Sequence, residues 1–192
     1  MSAVVDTPIV LVQRPQRADA RRNFDALLAA ARDAFQEHGT EASLEDIARR
    51  AGVGIGTLYR NFPTRAALIE AVYIDGVEAL VTAAAEVRSL PPWEALTSWL
   101  WRFVDYAATK KVLIEALNRE SDMIKRCRGA FYGAGRPLLE RAQASGDVRP
   151  DADIDDVMRL VAGIAGVAFP DPGQRQRVLA MAMDGLRLPP KA

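Results

Sequence analysis

The chain has 192 residues, 49% of them apolar, and its 25 Lys and Arg are matched by 25 Asp and Glu. That length allows one domain or two small ones with a sizeable core; zero net charge argues against nonspecific coating of nucleic acid but leaves room for a local basic surface. One cysteine and one histidine exclude an intramolecular disulfide, a cysteine-based zinc finger and a His-rich metal site.

Abundant Ala, Leu, Arg and Glu, with few alternating β-branched stretches, favour an all-α fold. Residues 1–18 have no periodicity and are expected to form a disordered arm. Arg14, Arg17, Arg21 and Arg22 lie close together there, opposed only by Asp19. The arm either touches phosphates or the minor groove of a duplex, or it is a solvated, frayed terminus. Asp6 and Pro8, with no basic head before an apolar core, do not read as a secretory signal. The longest uncharged apolar run, Leu160 to Phe169, is too short to span a bilayer. A cytoplasmic location is the default expectation.

A first helix is expected from about Arg21 to His38, because Phe24, Leu27, Leu28, Ala31 and Phe35 recur on one face. Gly39 ends it. In the second helix, Leu44, Ile47, Ala48 and Ala51 fall at i, i+3, i+4 and i+7. Ser43 is placed to cap it, with Asp46 three residues on. Gly52 suits the left-handed turn that closes such a helix, and Val53 can plug the corner. A third, short helix follows from Ile55 to Asn61, with Leu58 and Phe62 on its inner side and Pro63 as its stop. Two short helices joined by a glycine-containing turn make a helix-turn-helix, whose second helix enters the DNA major groove.

The stretch Ala51-Gly52-Val53-Gly54-Ile55-Gly56-Thr57-Leu58-Tyr59-Arg60-Asn61-Phe62-Pro63 closely resembles the signature of the TetR (tetracycline-repressor-like) family of transcriptional regulators. Phe35-x-x-His38-Gly39-Thr40 before it and Thr64-Arg65-x-x-Leu68 after it belong to the same likeness. The resemblance covers about the first third of the chain; the remainder matches in size, helical character and layout. It implies a three-helix DNA-binding head over residues 19–65 and a helical effector-binding and dimerisation body over 66–192, about nine helices in all.

The resemblance also implies which residues meet DNA. Thr40 and Ser43 would bring hydroxyls to the DNA backbone, and Arg65 would meet phosphate. On the third helix the outward set is Gly54, Ile55, Gly56, Thr57, Tyr59, Arg60 and Asn61. Gly56 lets the backbone approach the duplex. Thr57 and the Tyr59 hydroxyl can donate to phosphates, or else merely decorate the surface. Ile55 can pack on a thymine methyl, and Arg60 or Asn61 can read base edges or grip phosphate. Three positions depart from the family's habit. Gly54 stands where a capping Ser is frequent, Asn61 for a frequent His, and Arg65 for a frequent Lys. Base preference is therefore left open.

A long fourth helix is expected from Thr64 to about Arg88, and Pro91-Pro92 marks a break. A fifth runs from Pro92 to about Thr109, a short sixth from Lys111 to Asn118, and a seventh from Asp122 to Ser145. Pro137 should bend or split the seventh. An eighth is expected from Ile154 to Ala168, with Asp153 as its cap, and a ninth from Pro172 to Arg187. Trp99, Phe103, Tyr106, Met123, Cys127, Phe131 and Tyr132 could line an effector chamber, with Arg102, Glu115, Asn118 or Arg126 adding polarity. The alternative is an ordinary core. Cys127 is either a redox sensor or a small packing residue. Val157, Leu160 and Ile164 with Val178, Leu179 and Ala182 read as an intramolecular core, or, as the resemblance implies, a four-helix interface between two subunits. One face can serve each role.

No catalytic constellation, metal site or cofactor motif is legible. The expected protein is a homodimeric, ligand-responsive repressor that binds a pseudo-palindromic operator in double-stranded DNA and is released by a small-molecule effector. The rivals are an effector-independent activator or architectural protein and, further off, a helical enzyme or carrier. No membrane partner is expected.

Overall fold

A computed structural model describes residues 12–117 and 121–188, without the side chains of 108–112 and 172. Its helices are α1 (Ala18–His38), α2 (Leu44–Arg50), α3 (Ile55–Asn61), α4 (Arg65–Glu86), a one-turn 3-10 helix (Val87–Ser89), α5 (Pro92–Ala116), α6 (Asp122–Ala144), α7 (Ile154–Ala165) and α8 (Pro172–Asp184). Among the described residues, extended pairing is confined to one antiparallel bridge between Val148 and Arg187. The protein is all-α, as composition and periodicity indicate. None of its described helices is long and apolar enough to cross a membrane.

The chain divides into two compact units. One takes Met1–Glu78 with Thr109–Cys127, the other Ala79–Ala108 with Arg128–Ala192. In the first unit, the inner stripe of α1 (Phe24, Leu27, Leu28, Ala31, Phe35) is buried throughout. Gly39 closes α1 at φ +73°, and its N–H donates to Phe35 O at 3.0 Å.

The segment ahead of α1 departs from the free arm that its composition suggests. The Arg14 guanidinium pairs with Asp25 of α1 at 2.9 Å and with Glu78 of α4 at 2.7 Å, and also with Asp75. Arg32 reaches Asp75 as well, and the Val12 N–H donates to Glu78. Two half-buried carboxylates on one helix repel each other unless a cation lies between them, and Arg14 supplies it. The arm's residues 1–11 lie outside the described residues.

In the second unit Leu96, Trp99, Leu100, Phe103, Phe131, Leu138, Val157, Val161 and Leu179 are buried together. Trp99 satisfies its indole N–H on Leu80 O at 2.9 Å. Arg141 donates to Arg88 O at 2.6 Å and Leu90 O at 2.5 Å, which ties down the end of the 3-10 turn. A capping box opens α7, with Asp156 N–H on Asp153 at 2.9 Å and Asp153 N–H on Asp156 at 3.1 Å. Asp171 caps α8 through the N–H groups of Gly173 and Gln174, at 2.8 and 3.0 Å.

Two expected boundaries are corrected. The short sixth helix does not exist separately, since α5 runs unbroken to Ala116. Between Ala107 and Ala116 there is no Gly or Pro to stop it, and a Lys pair is no breaker. Asn118 falls outside the described residues. The seventh helix is not split either: α6 continues through Pro137 to Ala144. Proline at 137 removes one hydrogen bond, to the carbonyl four residues back, and the neighbouring turns carry the helix across it.

Candidate nucleic-acid interface

Local chemistry builds the helix-turn-helix. Ser43 accepts the Asp46 N–H at 3.2 Å, which satisfies one orphan donor at the start of α2. Its hydroxyl donates to the Glu45 carboxylate at 3.0 Å. Glu45's own backbone N–H and the Ser43 hydroxyl hold that carboxyl below the usual range. After Ala51 the chain turns at Gly52, φ +69°, a left-handed value that a Cβ would strain. The Val53 N–H closes the corner on Ala48 O at 3.0 Å.

Gly54 is the N-cap of α3 and offers no side-chain oxygen. Its carbonyl accepts from the N–H groups of Thr57 and Leu58, at 2.8 and 3.3 Å. The inner side of α3 is fixed. Leu58 is 1% exposed, and the Phe62 ring meets Phe24 of α1 at 4.9 Å between centroids. The outer side is open. Ile55 is 37% and Tyr59 47% exposed, with Gly54, Gly56 and Arg60 also exposed. Helical spacing produces part of this division: 58 and 62 lie four apart on the inner side, 56 and 60 project away from them, and 55 and 59 flank the inner side yet stand exposed.

Three polar side chains on α3 are ordered by the helix itself. Arg60 Nε donates to Gly56 O at 3.3 Å and Arg60 Nη2 to the Thr57 hydroxyl at 3.1 Å. Asn61 Nδ2 donates to Thr57 O at 2.8 Å. Thr57 and Asn61 are half-buried.

Arg65, at the start of α4, is also half-buried. Its Nη1 donates to Thr40 O at 2.8 Å and Ala42 O at 2.6 Å, across the loop between α1 and α2. Thr40 is half-buried and Ser43 exposed on that loop. The ten residues expected at DNA therefore lie along the α1–α2 loop, α3 and the first residue of α4.

On α2, Asp46 pairs with Arg49 and with Arg50 at 2.6 Å, and Arg50 also meets Glu37 of α1 at 2.8 Å. Arg49 and then Arg50 keep the Asp46 carboxyl below its ordinary pKa. This lattice was not legible in the sequence beyond the i, i+3 and i, i+4 spacing of opposite charges. The same is true of the Arg14 cluster, two of whose partners, Asp75 and Glu78, are more than sixty positions away.

The residues expected at an effector chamber are divided between the units. Trp99, Phe103, Tyr106 and Phe131 belong to the second, Met123 and Cys127 to the first. Phe103 stacks on Phe131 at 5.9 Å and Phe131 meets Tyr132 at 4.8 Å. Burial and a hydrogen bond to Asp155 push the Tyr132 phenol upward. Along α6, the buried Cys127 sulfur is 3.9 Å from that of Met123. Trp99, Phe103, Cys127 and Phe131 are all buried within the chain.

Of the residues expected at a subunit interface, Val157 and Leu179 are wholly buried in the chain's own core. They cannot also face a partner. Leu160 is 40% exposed, and Ile164, Val178 and Ala182 are half-buried. Two exposed apolar residues absent from the expected set are Val167, just past the end of α7, and Met181 on α8, 59% and 69% exposed. The i, i+3, i+4 spacing of 178, 181 and 182 was the signal for Met181; helical spacing does not reach Val167, which lies beyond α7.

The match to known families follows this geometry. Residues 91–188 match the model described as "Transcriptional regulator SbtR-like, C-terminal domain", and residues 27–72 the model "Bacterial regulatory proteins, tetR family". A TetR transcriptional regulator of known structure from Streptomyces coelicolor is 44% identical over 85% of this chain and 97% of that one, with a TM-score of 0.75. A TetR transcription regulatory protein from Mycobacterium vanbaalenii is 36% identical over 91% of this chain and 100% of its own, with a TM-score of 0.73. Curated HTH-type transcriptional regulators from Staphylococcus aureus are 25% identical over 119 residues, or 60% of this chain, and the match spans 64% of their length.

Proposed function

The chain belongs to the TetR family of bacterial transcriptional regulators, and from that premise we propose that it is a sequence-specific repressor, released from its operator by a small molecule. Residues 19–65 act on DNA through Thr40, Ser43, Gly54, Ile55, Gly56, Thr57, Tyr59, Arg60, Asn61 and Arg65. Residues 66–192 provide the effector-binding and dimerising body. The observation that carries the reading is the two-sided character of α3: Leu58 is locked inside while Ile55, Tyr59 and Arg60 stand in solvent. A helix so held presents a rigid surface of groove-reading width.

A symmetric dimer would place two such helices in successive major grooves about 34 Å apart. The apolar residues left exposed or half-buried on α7 and α8, Leu160 and Ile164 with Val178, Met181 and Ala182, are the surface assigned to that dimer. A small molecule that prefers the dimer with mis-spaced recognition helices would lower operator affinity, with coupling of about 1–3 kcal/mol. Selection of bound genomic fragments followed by footprinting tests the first part. A protected inverted repeat is expected, and no preference over random competitor would overturn it.

A second reading, a DNA-binding regulator with no effector, draws support from the close packing of Trp99, Phe103 and Phe131. Thermal-shift screening separates the two. A compound that raises the melting temperature and weakens operator binding supports the repressor; operator binding untouched by every compound that stabilises the protein supports the second reading.

A further inference from the structure

We infer that Arg60 is the residue that reads base sequence, that it reads guanine, and that Thr57 is the positioning residue that aims it. The inference rests on the DNA-binding role proposed above and deepens it.

The guanidinium carries five N–H donors in a fixed planar fork. In this structure its side edge is already occupied. Nε meets the Gly56 carbonyl at 3.3 Å, and Nη2 meets the Thr57 hydroxyl at 3.1 Å. Both acceptors belong to the same seven-residue helix, so the group is tied to the element that would enter the groove. The far edge, Nη1 with the second N–H of Nη2, remains as two parallel donors on an exposed side chain. Two parallel donors match the O6 and N7 acceptors that guanine alone presents side by side in the major groove.

A freely rotating arginine loses about 2 kcal/mol of side-chain entropy on being fixed. Ties to Gly56 and Thr57 take part of that loss before DNA arrives. The same fork also fits two phosphate oxygens, so the selection experiment below is what separates a base contact from a phosphate contact. Thr57 has a further consequence. Its oxygen accepts from Arg60, so its own O–H proton is left to donate outward to a phosphate. One residue then sets both the register of the helix on the backbone and the aim of its reader.

Asn61 is the rival reader. Its amide nitrogen donates to Thr57 O at 2.8 Å, and the side chain is half-buried. It lies folded back on the last turn of α3, adding a second hydrogen bond to a carbonyl that already accepts the helix's own i, i+4 N–H. Its loss should weaken binding to every sequence alike.

The experiment is selection of duplexes from a randomised pool by the full chain and four variants, each first checked for an unchanged far-ultraviolet spectrum and melting curve. Wild type should enrich a motif with a guanine in each half-site. Arg60→Ala should lose preference at that position alone and bind the wild-type consensus roughly tenfold to a hundredfold more weakly. Thr57→Val keeps the shape of the side chain but removes the acceptor, and it should blunt the same guanine preference. Thr57→Ser should restore it. Asn61→Ala should leave the motif intact. An Arg60→Ala motif identical to wild type, with uniformly weaker binding and a shallower salt dependence, would place Arg60 on phosphate and overturn the inference alone. A wild type that enriches nothing would overturn the DNA-binding role and the inference with it. Thr57→Val with the full guanine preference would overturn the positioning role.

Discussion

Arg65 Nη1 donates to the carbonyl oxygen of Ala42 at 2.6 Å, and the same nitrogen reaches Thr40 O at 2.8 Å. The first residue of α4 thereby holds the loop that carries Thr40 and Ser43. Hydrogen bonds from a charged donor contribute about 1.5–3 kcal/mol. Arg65→Met should therefore lower Tm by several degrees, at about 2–4 °C per kcal/mol for a chain of this size. Circular dichroism melting measures this; an unchanged Tm would leave phosphate contact as the residue's sole role.

Tyr59 is exposed on α3, so its hydroxyl is free of any packing duty. Tyr59→Phe should weaken operator binding by about 0.5–1.5 kcal/mol, equally for all sequences, with Tm unaltered. Competition binding against single-base variants of the operator checks it. A changed base preference would contradict a phosphate role.

Gly135 is buried where α6 passes the Trp99 indole, and a Cβ there would come within 2.3 Å of the ring and 3.2 Å of the Ile154 side chain. Trp99 cannot easily withdraw, because its N–H is bound to Leu80 O. Gly135→Ala should cost about 1–3 kcal/mol by overpacking. Gly133→Ala is the control. Nothing lies within 4 Å of its added methyl, so it should gain up to about 1 kcal/mol from helix propensity. Parallel chemical denaturation of the two variants gives the comparison.

Leu160 and Leu179 separate association from folding. Leu179 is wholly buried, whereas Leu160 is 40% exposed. Leu179→Asp should unfold the chain, because an unpaired charge is driven into the core. Leu160→Glu should retain helical content and yield monomers in sedimentation. A folded dimer of the Leu160 variant would move the interface away from α7.

Arg14 sits between Asp75 and Glu78, with its side chain 29% exposed and each of theirs 13%. Arg14→Ala should cost about 1–3 kcal/mol, below the ~3–5 kcal/mol of a fully buried pair, since solvent screens part of the interaction. Added salt should narrow the gap between variant and wild type by masking the carboxylates left behind. Melting at low and high NaCl tests both statements.

What the sequence determined by itself was local. Ser43 and Asp153 as caps, Gly39 and Gly52 as stops, Leu58 and Phe62 as the inner side of α3, and the family likeness of residues 51–63 all depend on neighbours within about one helical turn, where backbone geometry leaves few choices. The tertiary structure alone decided the rest. It turned Val157 and Leu179 inward and left Leu160 outside, because periodicity defines an apolar face without saying which surface covers it. It tied Arg14 to Asp75 and Glu78, and Arg65 to Thr40 and Ala42. Pairings over such separations are set by how helices pack, and no spacing rule along the chain encodes them.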